Sequence, residues 1–204
     1  MVPGAILVST GKRHGTTHRG GGRSYKKMKS DLERLLKQHR GPDVRFTTML
    51  DLYGLYRDFP GTAEANLARH ALQERVRRLE QAFADDINDS RFIPHIQIHE
   101  FEAILLCEPE ALAQFYLSPD TTSRIEKLTA EISDFASPEQ IDDGPQTSPS
   151  NRIGAYFEDF ASAKSTIAAE IAPRIALATV RAKCPHFDAW LSLLETLAGP
   201  DHSA

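Results

Sequence analysis

The stretch RFIPHIQIHEFE, residues 91–102, decides how the chain is read. Its first eight residues, 91–98, predict a strand. Pro94 has no N–H to give to a ladder, which pushes this strand towards an edge or a bulge. His99, Glu100, Phe101 and Glu102 follow directly at its C-terminal end. Working backwards, VRFTTML (44–50) reads as another strand, with Asp51 at its end. Between the two lies a helical pattern within 62–86, where Leu72, Val76, Leu79 and Phe83 are spaced four, three and four apart. Further back, Ser24 is placed to cap a helix over 25–38, with Met28, Leu32, Leu35 and Leu36 on one face and Gly41-Pro42 closing it. GAILVST (4–10) reads as a first strand, and GKRHGTTHRGGGR (11–23) as a glycine-rich basic loop. Strand–helix–strand–helix–strand predicts a small parallel sheet with right-handed crossovers. The strands 4–10, 44–50 and 92–98 should then lie parallel in one sheet, with Asp51 and Glu100 on one edge.

Downstream the pattern turns helical. Pro109 opens a short helix, and Ile125, Leu128, Ile132 and Phe135 mark another. Ser137 and Gln140 have the spacing of a capping box. DDGPQTSPSN (142–151) reads as a loop, followed by a stripe of Ile153, Tyr156, Phe157 and Phe160. Phe187, Trp190, Leu191 and Leu194 supply the inner face of a last helix over 185–198. The expected organisation is an α/β core over 1–108 with a helical extension over 109–204 packed on it.

Composition narrows the class. The chain has 204 residues, 41% hydrophobic and 25% charged, as ordinary globular proteins do. The longest apolar run, Ala103 to Cys107, is far short of a membrane span, and residues 1–10 lack the charged and apolar regions of a signal peptide. Cys107 and Cys184 are the only cysteines. Two distant cysteines make neither a disulfide framework nor a zinc site, and a reducing cytoplasm fits them best. Residues 1–30 hold seven Lys/Arg and no acid, whereas the remainder holds 17 basic against 28 acidic residues. A segment of +7 thus precedes a body of −11, and the net −4 conceals both. Such asymmetry suggests an anionic partner for the basic end.

The C-terminal edge of a parallel sheet is where ligands bind. There the pattern gathers Asp51, Glu100 and Glu102, acids suited to a hard cation such as Mg²⁺ or Mn²⁺, together with His99. Backbone amides of Gly20–Gly22 with Lys12, Arg13, Arg19, Arg23 and Lys26 are suited to phosphates. Each element also has a plain reading. Asp51 can simply cap the turn Asp51–Gly54. Glu100 and Glu102 share a face on a strand but diverge at a helix start, where one favours the helix dipole. His99 reads as a hydrogen-bonded structural histidine, and Pro149-Ser150-Asn151-Arg152 as a helix cap rather than a phosphate contact. No G-x-S-x-G, Walker A, post-strand G-x-G-x-x-G or H-E-x-x-H occurs.

Several stretches together carry a resemblance: ILVSTGKRHG, HRGGGRSY, TTMLDLYGLYRDFPG, RFIPHIQIHEFEAILL with CEPEAL, IDDGPQTSPSNRI and CPHFDAWL. The chain resembles the bacterial family called domain of unknown function 4276 over nearly its whole length. That family looks related to the Toprim domains of topoisomerases, primases and OLD-type nucleases, and tends to be encoded beside an AAA-type ATPase. The resemblance implies a Toprim-like α/β fold and Mg²⁺- or Mn²⁺-dependent phosphodiester chemistry on nucleic acid, in phage defence or DNA handling. It implies Asp51, Glu100 and Glu102 as catalytic metal ligands, with Lys12, Arg13, Arg19, Arg23 and Lys26 on phosphates. Two departures accompany it. Tyr53 stands where a Toprim D-x-D motif has its second Asp. Relatives also start earlier, with an acidic strand and a helix that this chain is expected to lack. The unpaired sheet edge left behind would favour a homo-oligomer. The alternative to a nuclease-type enzyme is a non-catalytic interaction module that partners an AAA-type ATPase; neither reading involves a membrane.

Overall fold

Two compact units make up the chain, Met1–Ile96 and Gln97–Ala204. The computed structural model describes residues 4, 9–13, 16–19, 24–67, 71–141 and 146–197. The architecture is mixed α/β, with small two-stranded parallel sheets and many helices.

In the first unit, β1 (Ser9–Arg13) and β2 (Thr16–Arg19) form an antiparallel hairpin, with Arg13 opposite Thr16 and Lys12 opposite Thr17. This corrects the expected loop over 11–23. Thr16 and Thr17 are β-branched, and only two residues separate the strands, as in the tightest hairpins. The expected strand over 4–10 falls mostly on residues 5–8, outside the described residues. Its described end runs antiparallel to β2, not parallel in a shared three-stranded sheet.

Helix α1 (Tyr25–Gln38) forms where expected and buries Tyr25, Met28, Leu32 and Leu36. Ser24 makes no side-chain cap; instead Asp58 accepts the Tyr25 N–H at 3.1 Å. At the other end, the Arg91 guanidinium donates to the carbonyls of Leu36 and His39. These would otherwise be orphaned acceptors of the last turn.

The expected parallel pairing of the two later strands is present, in two short pieces. β3 (Phe46–Thr47) pairs with β5 (Phe92–Ile93), and β4 (Leu50–Asp51) with β6 (Ile96–Gln97). The gap between the pieces contains Pro94, which cannot donate. There the Thr48 hydroxyl replaces a backbone partner, donating to the His95 carbonyl and accepting the His95 N–H, both at 3.2 Å.

The expected helix over 62–86 divides into α2 (Thr62–Asn66) and α3 (Leu72–Ile87). Leu67 is exposed, so the apolar stripe does not run unbroken across this stretch. α3 buries Val76, Leu79, Phe83 and Ile87, and stops at Asn88 in the left-handed conformation. Phe83 touches Tyr25, Phe59 and Phe92 edge-on, with ring centroids 4.7–5.8 Å apart.

Asp86, on α3, ties that helix to α1. It accepts from Lys29 Nζ at 2.8 Å and from the Tyr25 hydroxyl. Desolvation pushes its carboxyl up, but these hydrogen bonds outweigh that and hold it below the ordinary value. A carboxyl depressed in the folded state adds stability above its unfolded pKa, and that stability is lost as pH falls through the folded value. Urea midpoints measured along the acid limb should therefore fall less steeply for Asp86→Asn than for the wild type. Equal slopes would show that Asp86 does not link folding to pH.

In the second unit, α4 (Thr121–Ile132), α5 (Pro149–Tyr156), α6 (Phe160–Ile171), α7 (Leu177–Lys183) and α8 (Pro185–Thr196) pack around one apolar core. Leu105, Leu112, Leu128, Ile153, Phe157 and Phe160 are fully enclosed or nearly so. Residues 149–151, expected in a loop, open α5, because Pro149 at its first position forgoes an N–H that would be orphaned anyway. Residues 142–145 of that loop lie outside the described residues. Pro109–Gln114 is a 3-10 turn, and the Ser137 hydroxyl caps another at Pro138–Gln140 by accepting the Glu139 N–H at 3.1 Å. Phe187 is buried, and Trp190 packs edge-on against it at 5.4 Å. No helix among the described residues is long and apolar enough to cross a membrane.

Candidate functional site

Beyond β6 the backbone takes an unusual step. His99 has φ +62°, the left-handed region that a non-glycine residue seldom enters, and is 3% exposed. Glu100 returns to an extended conformation, and Phe101–Ala103 then coil into a 3-10 turn. Such backbone conformations persist only where the surrounding packing enforces them.

This step decides where the two glutamates point. On a regular strand they would share a face; on a regular helix start they would diverge. The bend does neither, yet both carboxylates reach one ammonium. Lys164 Nζ, on α6, lies 3.6 Å from Glu100 Oε2 and 3.5 Å from Glu102 Oε1. Glu100 and Glu102 are 6% and 4% exposed, whereas the Lys164 side chain is partly in solvent. Buried carboxylates require partners, and both find one in the Lys164 ammonium. Glu100 Oε1 also accepts the Ser150 N–H at 2.5 Å, in the first turn of α5. There it satisfies an orphan donor and lies at the positive end of the helix dipole. Two buried carboxylates converging on one point form an oxygen donor set that suits a hard cation.

The segment Pro149–Arg152, read as a helix cap, is instead the first turn of α5, and Arg152 is held by packing partners. Its guanidinium donates to the Thr147 carbonyl at 2.8 Å, pairs with Glu131, and lies over the Phe135 ring at 5.1 Å. Asp51 closes β4 in the first unit, is half-buried, and precedes the 3-10 turn Leu52–Gly54 without a side-chain cap to it. The turn-capping reading of Asp51 therefore lacks its hydrogen bond. Tyr53 beside it is 45% exposed. Of the basic residues, Lys12 and Arg13 lie on β1, Arg19 on β2, and Lys26 on the exposed side of α1. Arg23 and Gly20–Gly22 lie outside the described residues.

Sequence reasoning missed Lys164 and Ser150. A single lysine on a helix carries no motif, and its closeness to residues 100 and 102 arises only from tertiary packing. It also gave Glu139 no role. That side chain is 2% exposed and accepts the N–H groups of His186 at 2.9 Å and Phe187 at 3.0 Å, capping α8. Burial pushes the Glu139 carboxyl up, against these two backbone hydrogen bonds.

No curated protein and no solved structure matched the chain in comparison. The family described as "Domain of unknown function (DUF4276)" matches residues 5–195, nearly the whole length, and to this family the chain belongs.

Proposed function

We propose that this chain is a divalent-cation-dependent protein acting on phosphodiester groups of nucleic acid, with Glu100 and Glu102 as metal ligands. The observation that supports this is the convergence of two buried carboxylates, next to the left-handed turn at His99, on the Lys164 ammonium. The resemblance to Toprim domains adds Asp51 as a further acid. Mg²⁺ or Mn²⁺, when bound, would supply Lewis-acid polarisation of a phosphoryl oxygen. Glu100 and Glu102 would hold that cation. Lys164, half in solvent, would offset the carboxylate charge in its absence and stand ready to neutralise a phosphate in its presence. The Lys12–Arg23 segment with Lys26 would contact the nucleic-acid backbone. Phage defence or DNA handling in the cytoplasm fits this chemistry through the resemblance.

One observation favours a second reading. Lys164 already gives both carboxylates a counter-ion, as a purely structural ion pair would. On that reading the chain is a non-catalytic module that docks on an AAA-type ATPase.

Thermal melting with Mg²⁺ or Mn²⁺ separates the two. Cation binding to the folded state alone adds about 2.7 kcal/mol at roughly a hundred times Kd. Melting temperature should rise with cation concentration, and Glu100→Gln with Glu102→Gln should abolish the rise. Lys164→Gln should steepen it, because the competing ammonium is gone. Arg19→Ala with Arg23→Ala should weaken nucleic-acid binding and flatten its salt dependence, with the cation response intact. A melting temperature indifferent to both cations would leave the docking module as the better reading.

A further inference from the structure

Cys107 and Cys184 are 77 residues apart in sequence, yet their sulfur atoms lie 3.4 Å apart, in sulfur–sulfur hydrogen-bond contact. Both are free thiols and both are fully buried in the core of the second unit. Sequence spacing alone gave no sign that the two thiols meet. Cys107 ends the 3-10 turn Leu105–Cys107, and Cys184 is the residue that opens α8. Lys183 Nζ donates to the Cys107 carbonyl at 2.6 Å, and the Lys183 carbonyl accepts from the Ser137 hydroxyl at 2.7 Å. The backbone on both sides of the pair is therefore fixed by side chains.

We infer that Cys107 and Cys184 form a dithiol–disulfide site, closed by a small hydroperoxide and reopened by thiols. The sulfurs must approach by little more than an ångström to reach bonding distance of about 2.05 Å. Either sulfur can donate in this contact. Lys183 Nζ, bonded to the Cys107 carbonyl, places a positive charge beside Cys107. The contact with Cys184 and this charge lower the Cys107 thiol against burial, while the same contact and burial push the Cys184 thiol up. The lysine beside it makes Cys107 the nucleophile and Cys184 the resolving thiol.

In the first step the Cys107 sulfur, having lost its proton, attacks the terminal peroxide oxygen. A sulfur–oxygen bond forms, the oxygen–oxygen bond breaks, and the leaving alkoxide or hydroxide takes up the proton. In the second step the Cys184 sulfur attacks the Cys107 sulfenic acid. The sulfur–sulfur bond forms, the sulfur–oxygen bond breaks, and hydroxide leaves as water with the Cys184 proton. Two thiols are oxidised by two electrons in all, and one peroxide is reduced to water and an alcohol or a second water. Complete burial selects a small oxidant over a bulky disulfide such as oxidised glutathione.

The test uses the full chain, reduced and then freed of reductant, and hydrogen peroxide as the probe. Thiols are counted under denaturing conditions and the intact mass is measured. The expected result is loss of both thiols together, a mass lower by about 2 Da, and a monomeric species restored by dithiothreitol. Cys184→Ser should instead halt at a Cys107 sulfenic acid that dimedone traps; Cys184→Ala serves if the serine variant does not fold. A native chain that keeps both thiols in peroxide sufficient to oxidise the urea-unfolded chain would overturn the assignment. So would oxidation that yields only sulfinic acid or disulfide-linked dimers. The site does not depend on the cation reading, and its outcome leaves that reading untouched.

Discussion

Phe83→Ala should destabilise the first unit by about 3–5 kcal/mol, the range for removing a fully buried aromatic ring. Phe83 is 0% exposed, and its ring is the hub that meets Tyr25 of α1, Phe59 of the preceding loop and Phe92 of β5. Those rings meet at interplanar angles of 68–75°, the edge-to-face geometry that aromatic quadrupoles favour. Truncation leaves a cavity among rigid rings, which collapse poorly, so the cost should lie high in that range. Phe83→Leu, which retains most of the volume, should recover more than half of it. Urea unfolding of the three proteins reads the difference directly. A loss below about 1 kcal/mol for the alanine variant would show that these rings do not form the core described.

Gly61→Ala should cost about 2–4 kcal/mol, from two sources that act at the same atom. Gly61 has φ +75°, the left-handed region that disfavours any Cβ. A Cβ built there would also lie 2.5 Å from the Ala82 Cβ on α3, closer than two carbons can sit. The close approach arises because Gly61 begins α2 while α3 packs directly over it; its carbonyl accepts the Ala65 N–H at 2.9 Å. Gly61→Ala combined with Ala82→Gly separates the sources. The pair should regain the overpacking part and keep the backbone part, so that melting temperature recovers only partially. Full recovery would assign the whole cost to the clash, and no loss in the single variant would mean that α2 and α3 sit farther apart.

The residues that made the fold legible are those whose neighbours are local. α1 and α3 announced themselves because their buried side chains recur at helical spacing, and the family was legible from runs such as DFPG and HEFEA. The parallel alignment of 44–50 with 92–98 also followed from sequence, but not its division into two pairs. That division came with Pro94 and with a Thr48 hydroxyl whose partner lies 47 residues away. The hairpin of β1 and β2 is hidden because glycine, histidine and lysine dominate the stretch and the β-branched pair Thr16-Thr17 is too short a signal to outweigh them. At the candidate site, the acids were legible as acids after a strand. Their convergence was not, since it depends on the left-handed turn at His99 and on a lysine delivered from α6. The thiol pair shows the same limit: separation along the chain says nothing of separation in space once helices pack.

The guanidinium of Arg91 carries a consequence for how the first unit opens. It holds the Leu36 and His39 carbonyls at the end of α1, pairs with Asp89 in the turn before β5, and lies over the Phe46 ring of β3 at 5.5 Å. The last turn of α1 therefore cannot fray alone, because releasing those carbonyls also frees the cation from its ring and its carboxylate. The end of α1, β3 and the turn before β5 should therefore open as one unit of local unfolding, with backbone amides that exchange with solvent deuterium together rather than from the helix end inwards.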